Sequence, residues 1–432
     1  MHTLKLTKKY EKYPEYKDSG VEWLGKIPAN WEAQKIVSVF NFSNQKVTEA
    51  THEPLSVTYD GIKRQIENAA KVAEGSLRKL VKVGDIAING RSDRKGAVGM
   101  SEYEGGVSLV YNVLRKRDQL SDSKYFHYLF RSKLFSEEFY RWGRGIVDDL
   151  WTTRESEMKR ICITVPKSQE QIKIAKYLDE KTSSVDQIIE RKQKLIEFLK
   201  EKHIADINYA VTKGLDPKVE LVESGVEWID NIPKGWRVLP LKYVTEIQEG
   251  PGIMAEDFRE TGVPLLRIKN LNNGFVDLEG SNFLDPEKVE RKWSHFKLKQ
   301  GDLLISGSAS SGIVAEVTKE AVGSIAYTGL IKITSKSLDR YFLKCLLDSK
   351  YFNEQVEVQK AGTAMQHYGP THLKKVVITI PPDDEQKKIA DKVQKIKKIY
   401  LTSILNIEKS IELLQEFKSS LISNVVTGKI KI

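Results

Sequence analysis

The sequence is written twice, and a chain that repeats itself in register is constrained to fold as two alike modules. Ser19, Gly20, Val21, Glu22, Trp23, Ile27, Pro28 and Trp31 return as Ser224, Gly225, Val226, Glu227, Trp228, Ile232, Pro233 and Trp236, each 205 positions later. Two tryptophans and a proline matched in register make chance a poor explanation. The offset then grows: Gly84 and Asp85 answer Gly301 and Asp302, now 217 positions apart, so the second copy has gained residues in loops on a shared frame. Tyr125, Phe126, Ser132 and Lys133 are echoed by Tyr341, Phe342, Ser349 and Lys350. Each copy closes alike. Ile163, Thr164, Pro166, Glu170, Gln171, Ile174 and Ala175 stand 215 positions before Ile378, Thr379, Pro381, Glu385, Gln386, Ile389 and Ala390, and the offset persists to Val211 and Val426.

After Pro166 and Pro381 the composition changes. Residues 182–211 and 384–426 contain no Pro and no Gly and are rich in helix formers. Val393, Tyr400, Ile407, Leu414 and Leu421 fall seven apart, with Ile396, Ile404, Ile411 and Val425 three or four positions from them, which is a coiled-coil seam. The first copy keeps Leu178, Val185, Ile189, Ile196 and Leu199 but places Lys192 and Asp206 on the seam. About 43 helical residues reach roughly 65 Å. Two such helices from one chain pair most simply antiparallel, which predicts an α+β protein of two similar modules joined by two long antiparallel coiled-coil helices. The same pattern would also serve a helix that merely dimerises the chain.

Of the 432 residues, 40% are hydrophobic, seven are Trp and 17 are Tyr, too apolar for a disordered chain. Lys and Arg number 69 against 59 acids, a net charge of +10 that favours polyanionic partners. No run approaches the ~20 apolar residues of a spanning helix, and the N-terminal stretch lacks a signal core, so a cytoplasmic protein with no membrane partner is expected. Cys162 and Cys345 sit in apolar runs and read as reduced structural thiols. Histidines are few and unclustered, so no metal site is expected.

The modules show short strand-like runs ending in Gly90 and Gly307, each followed by a polar loop. The first loop carries Arg91, Ser92, Arg94 and Lys95. Arg takes guanine bidentately in the major groove and Lys holds phosphate, although the loop reads equally as a solvated charged turn. Arg144 and Arg154, with Arg141, Trp142 and Trp151, form a second basic and aromatic cluster. The second module offers Ser306, Ser308, Ser310 and Ser311, then Thr363, Gln366 and His367. Beside Lys269, the side-chain amides of Asn270 and Asn272 could pair with adenine, or the run could form an ordinary hairpin turn. A single helix is expected over residues 125–140 and another over 341–359.

No catalytic residue is identified. Gly307 to Gly312 has phosphate-loop spacing, but Ile313 and Val314 stand where Lys and Ser or Thr are needed. No Gly-rich strand–turn–helix for S-adenosylmethionine and no Asn/Asp-Pro-Pro-Tyr/Phe motif occurs. The opening Ser-Gly-Val-Glu-Trp, the Gly-Asp turn and the Pro-x-x-x-Glu-Gln-x-x-Ile-Ala helix start, all in duplicate, resemble type I restriction–modification specificity subunits (HsdS-like). The resemblance implies target-recognition domains over residues 1–165 and 215–380 and conserved helices over 166–214 and 381–432. It implies a non-catalytic, sequence-specific DNA-binding subunit that reads one part of a split asymmetric site with each domain. Its helices would set the spacer and dock two methyltransferase subunits. Restriction subunits, S-adenosylmethionine, ATP and Mg would belong to partners, with no cofactor in this chain. A type II system with fused nuclease–methyltransferase partners, or a coiled-coil interaction protein that does not bind DNA, remain the alternatives.

Overall fold

The computed structural model describes residues 10–59, 61–65, 77–91, 96–118, 121–145, 151–272, 274–307, 313–360 and 368–432, the side chains of 359 and 360 excepted. The chain divides into two compact units, Met1–Lys192 with Glu408–Ile432, and Gln193–Ile407. Both contain sheets and helices, and the expected α+β class with two long antiparallel helices is observed.

The first unit carries an antiparallel sheet in the order Val98–Met100, Ile86–Asn89, Tyr111–Lys116, Phe40–Phe42, beside a three-stranded sheet of Gly105–Val107, Arg78–Val81 and Lys46–Val47. The strand Cys162–Val165 pairs with Glu32–Lys35 and leads into the first long helix, Ser168–Lys213. In the second unit a six-stranded sheet has Leu303–Ser306 between Leu330–Ser335 and Val314–Glu316. Val377–Ile380 pairs with Arg237–Pro240 and leads into the second long helix, Asp383–Val426.

The repeated motifs are the joints of this frame. Gly84 and Gly301 both turn with φ of 85°, a conformation open to glycine. The Asp85 carboxylate behind the turn accepts from Lys82 N at 2.9 Å and from both ends of the Arg115 guanidinium at 3.0 and 2.7 Å. Asp302 accepts from Lys299 N at 2.8 Å and from Thr334 Oγ1 at 3.1 Å, so the turn is kept while its strand partner changes.

Where one helix was expected in each module, two are observed. Ser123–Arg131 is followed by Lys133–Arg141, and Arg340–Leu347 by Lys350–Lys360. The breaks fall at Ser132 and Ser349, whose hydroxyls accept from Phe135 N and Phe352 N at 3.2 Å and start a fresh helix. Phe126, Phe130 and Phe135 are then all buried in the first unit, as are Phe342 and Phe352 in the second.

Each core is closed by the start of one long helix and the end of the other. In the first unit Ile174, Ala175 and Leu178 pack in one cluster with Leu421, Val425 and Val426. In the second, Ile389, Ala390 and Val393 pack with Ile207, Ala210 and Val211. Of the expected seam, Val185, Ile189, Ile196 and Leu421 are buried, while Leu199, Tyr400, Ile407 and Leu414 are half-buried. Lys418 donates to both Asp186 oxygens at 2.6 and 2.7 Å in the first unit, and Tyr400 to Asp206 at 2.8 Å in the second.

Candidate nucleic-acid interface

In the first unit the strand Ile86–Asn89 runs out at Gly90, and three segments converge there. The Gly90 carbonyl accepts from Thr153 N at 2.9 Å. A Cβ at this position would lie 3.0 Å from Thr153 O and 3.2 Å from Val110 O, so glycine lets the strand end, the turn at 108–110 and the 151–154 segment close up without displacing either carbonyl. Thr152 then bridges Arg91 on one side and exchanges both backbone hydrogen bonds with Arg144, at 3.0 Å each, on the other. Folding thus gathers Arg91, Arg144 and Arg154, which are 63 positions apart at the extremes, around one threonine.

These arginines face solvent. Among the described residues, the Arg144 side chain approaches one acid, Glu157, at 3.7 Å. Beside them lies a cleft of about 440 Å³, lined by Arg91, Arg154, Lys79, Asn112, Leu109 and Val110 among others. Asn112 is buried and donates to Thr153 O at 3.2 Å, which fixes the cleft floor. Lys79 donates to Tyr111 O at 2.9 Å, and burial lowers the pKa of its ammonium. Glu155, the acid on the rim, is occupied by Lys159 at 2.6 Å and by Asn44 at 2.9 Å. The cleft therefore sets the exposed side chains of Arg91 and Arg154 around the buried amide of Asn112, an arrangement suited to phosphates and base edges. Lys79, Asn112, Thr152, Leu109 and Val110 escaped the sequence reading because pairing across strands, not proximity in sequence, brings them here.

The second unit repeats the frame with other chemistry. The Gly307 carbonyl accepts from Tyr368 N at 3.0 Å, its N–H donates to Gly329 O at 2.7 Å, and a Cβ would sit 2.7 Å from Tyr368 O. Near the turn that holds Gly329, the Arg267 guanidinium lies over the rings of Phe258 and Tyr327, 4.8 and 5.4 Å from their centroids.

Two expected contact residues are corrected. Asn270 is wholly buried: its Oδ1 accepts from Arg267 N at 2.8 Å, and its Nδ2 donates to Glu279 O and Ser281 Oγ at 3.1 Å. Its amide builds the loop and has nothing left to offer a base, as the hairpin-turn reading had it. Ser306 is also wholly buried, because its strand lies between two others and all four of its residues are covered. Lys269 and Asn272 stay exposed, Asn272 donating to Lys269 O at 3.1 Å. Ser92, Arg94, Lys95, Ser308, Ser310, Ser311, Thr363, Gln366 and His367 lie outside the described residues. Among the described residues no group of three or more His, Cys, Asp or Glu could hold a metal ion, and no helix is long and apolar enough to cross a membrane.

Residues 233–413 match the Type I restriction modification DNA specificity domain. The chain is 26% identical to the Type I restriction enzyme MjaVIII specificity subunit of Methanocaldococcus jannaschii, over 94% of either chain. Its fold is similar to that of a chain from a structure of the assembly and conformational transition of the type I R-M system, with a TM-score of 0.71, 14% identity, and 93% of this chain and 98% of that one covered. It is also similar to the crystal structure of the HsdS subunit from Thermoanaerobacter tengcongensis, with a TM-score of 0.55, 15% identity, and 94% and 98% covered. The resemblance to type I restriction–modification specificity subunits thus holds along nearly the whole chain.

Proposed function

We propose that this homologue of type I restriction–modification specificity subunits reads a bipartite, asymmetric stretch of double-stranded DNA, one part with each module. One observation carries the reading: the two modules share a backbone frame, Gly90 against Thr153 and Gly307 against Tyr368, yet line it with different side chains. Exposed Arg91, Arg144 and Arg154 surround the first site, whereas the second sets Arg267 on aromatic rings. Two different half-sites demand unlike readers on a common scaffold.

The chain supplies recognition and leaves chemistry to partners. Large apolar side chains stay exposed on the long helices: Ile188, Leu195, Phe198 and Ile204 on the first, Ile399, Leu401, Leu405 and Leu413 on the second. Such surface supports docking of two methyltransferase subunits, which would hold S-adenosylmethionine, with restriction subunits using ATP and Mg. The two parts of the DNA site would then lie about one helical turn apart.

Exchange of residues 18–165 for the matching domain of another such subunit, assayed by mapping methylated adenines with partner subunits present, should change one half-site only. Deletion of one heptad within 183–199 should alter the spacer or abolish binding; an intact split site would remove the ruler role. Binding must also weaken as salt rises. Arg154→Ala should lower the salt slope by about one if the residue holds a phosphate, or relax one base preference if it reads a base.

A further inference from the structure

We infer that Leu109 and Val110, at the tip of the turn beside the first module's cleft, recognise a thymine methyl group in the half-site that module reads. The inference rests on the DNA-reading function proposed above. The turn is short and fixed. Tyr111 N donates to Ser108 O at 3.1 Å, and Val110 O lies against Gly90. The strand Tyr111–Lys116 that follows pairs with Ile86–Asn89, so the turn cannot swing away from the strand end that carries Arg91.

A turn tip in water ordinarily takes Gly, Asn, Asp or Ser. This one places two adjacent aliphatic residues in solvent, 44% and 46% exposed, although the packed cores of the same unit hold such residues at a few per cent. Both line the cleft that Arg91 and Arg154 share. Charge complementarity decides the occupant. The positive charge of the exposed Arg91 and Arg154 beside the tip suits the phosphates of a duplex, and the only aliphatic group a major groove displays is the thymine 5-methyl. The corresponding turn of the second module reads Thr328 and Gly329, with Thr328 Oγ1 donating to Pro251 O at 2.8 Å. The aliphatic tip is therefore a property of one reader and not of the frame.

The test uses the full chain with its methyltransferase partners and the methylated motif they produce. The half-site belonging to residues 18–165 is assigned by domain exchange, and each thymine in it is replaced in turn by deoxyuridine, which removes only the methyl group. One replacement should weaken binding about fourfold, the effect of one buried methyl. Leu109→Ala combined with Val110→Ala should bind the thymine and deoxyuridine duplexes equally while retaining salt-dependent binding to the other half-site. A half-site with no A·T pair, a wild type indifferent to every replacement, or a double variant that keeps the full methyl dependence would overturn the inference and leave DNA reading intact. Loss of all specific DNA binding by the wild-type complex would instead overturn the functional reading itself.

Discussion

Gln171 and Gln386 show what one conserved-looking letter of the repeat does in space. Gln171 Nε2 donates to Pro166 O at 2.8 Å, and its Oε1 accepts from the N–H of Asp122, the cap of the helix Ser123–Arg131. Gln386 repeats both bonds with Pro381 O at 2.9 Å and Asp339 N at 2.8 Å. One side chain thereby ties the strand end, the start of a long helix and the start of a module helix. Gln171→Ala leaves two backbone groups without a partner inside the fold, and should cost about 2–3 kcal/mol in denaturant unfolding of the first unit. A second residue sets a pH limit. His127 is pushed down to about 4 by burial, helped by the neighbouring Arg131 charge, and its Nδ1 accepts from Met100 N at 3.1 Å. Its folded value lies below the unfolded one, so the unfolded chain binds the extra proton first and stability is lost as pH falls from about 6.5 towards 4. Between pH 7 and pH 5 the loss should be about 2 kcal/mol, and His127→Gln should flatten that slope in thermal melts taken across the range. A melt whose pH dependence survives the substitution would assign the effect elsewhere.

Among the elements, the long helices were legible because a seam is a local, periodic signal, whereas the clefts were not. Arg91, Val110 and Thr152 come from three segments that only strand pairing brings together, so no window of sequence contains their site. Ser306 and Asn270 misled for a related reason: a small polar residue after an apolar run reads as exposed loop, and only the fold reveals that both are interior. The helix breaks at Ser132 and Ser349 could have been read from serine's preference for N-caps. Asp206, which seemed an imperfection of the seam, has its own partner in Tyr400, while the ring of Tyr400 lies 5.1 Å from that of His203. The polar pair fixes the register of the two helices in the second unit where aliphatic packing would permit a slip. A double-mutant cycle of Asp206→Ala and Tyr400→Phe should give a coupling of about 0.5–1 kcal/mol, modest because the pair is half-exposed. A coupling of zero would mean that Ile196 and the aliphatic contacts alone set the register.

At the scale of the whole molecule, each module borrows its last structural piece from the other repeat. Thr164 Oγ1 donates to Val426 O at 2.8 Å, and Thr379 Oγ1 donates to Val211 O, so the same strand residue in each module holds the end of the other copy's helix. Beyond Val426 the tail continues into the first unit. Lys431 N donates to Glu11 O at 2.9 Å, Tyr16 OH to Gly428 O at 3.1 Å, and Lys429 Nζ to Leu24 O at 2.9 Å, while Ile430 is buried in the same core as Trp31. The final residues of the chain are thus part of the first module's core, although they follow the second module in sequence. Deleting residues 428–432 removes the buried Ile430 side chain, worth about 2–3 kcal/mol, together with those hydrogen bonds. Amide exchange should accordingly rise in Ile86–Asn89 and Tyr111–Lys116 of the first unit and stay unchanged in Leu303–Ser306 and Leu330–Ser335 of the second. Equal loosening of both units would mean that the tail acts through the helices as a whole. Faster exchange confined to the second unit would refute its assignment to the first core. Under the proposed DNA-reading function the same contacts carry a recognition consequence: the truncated chain should lose discrimination at the half-site assigned to residues 18–165 before it loses the other.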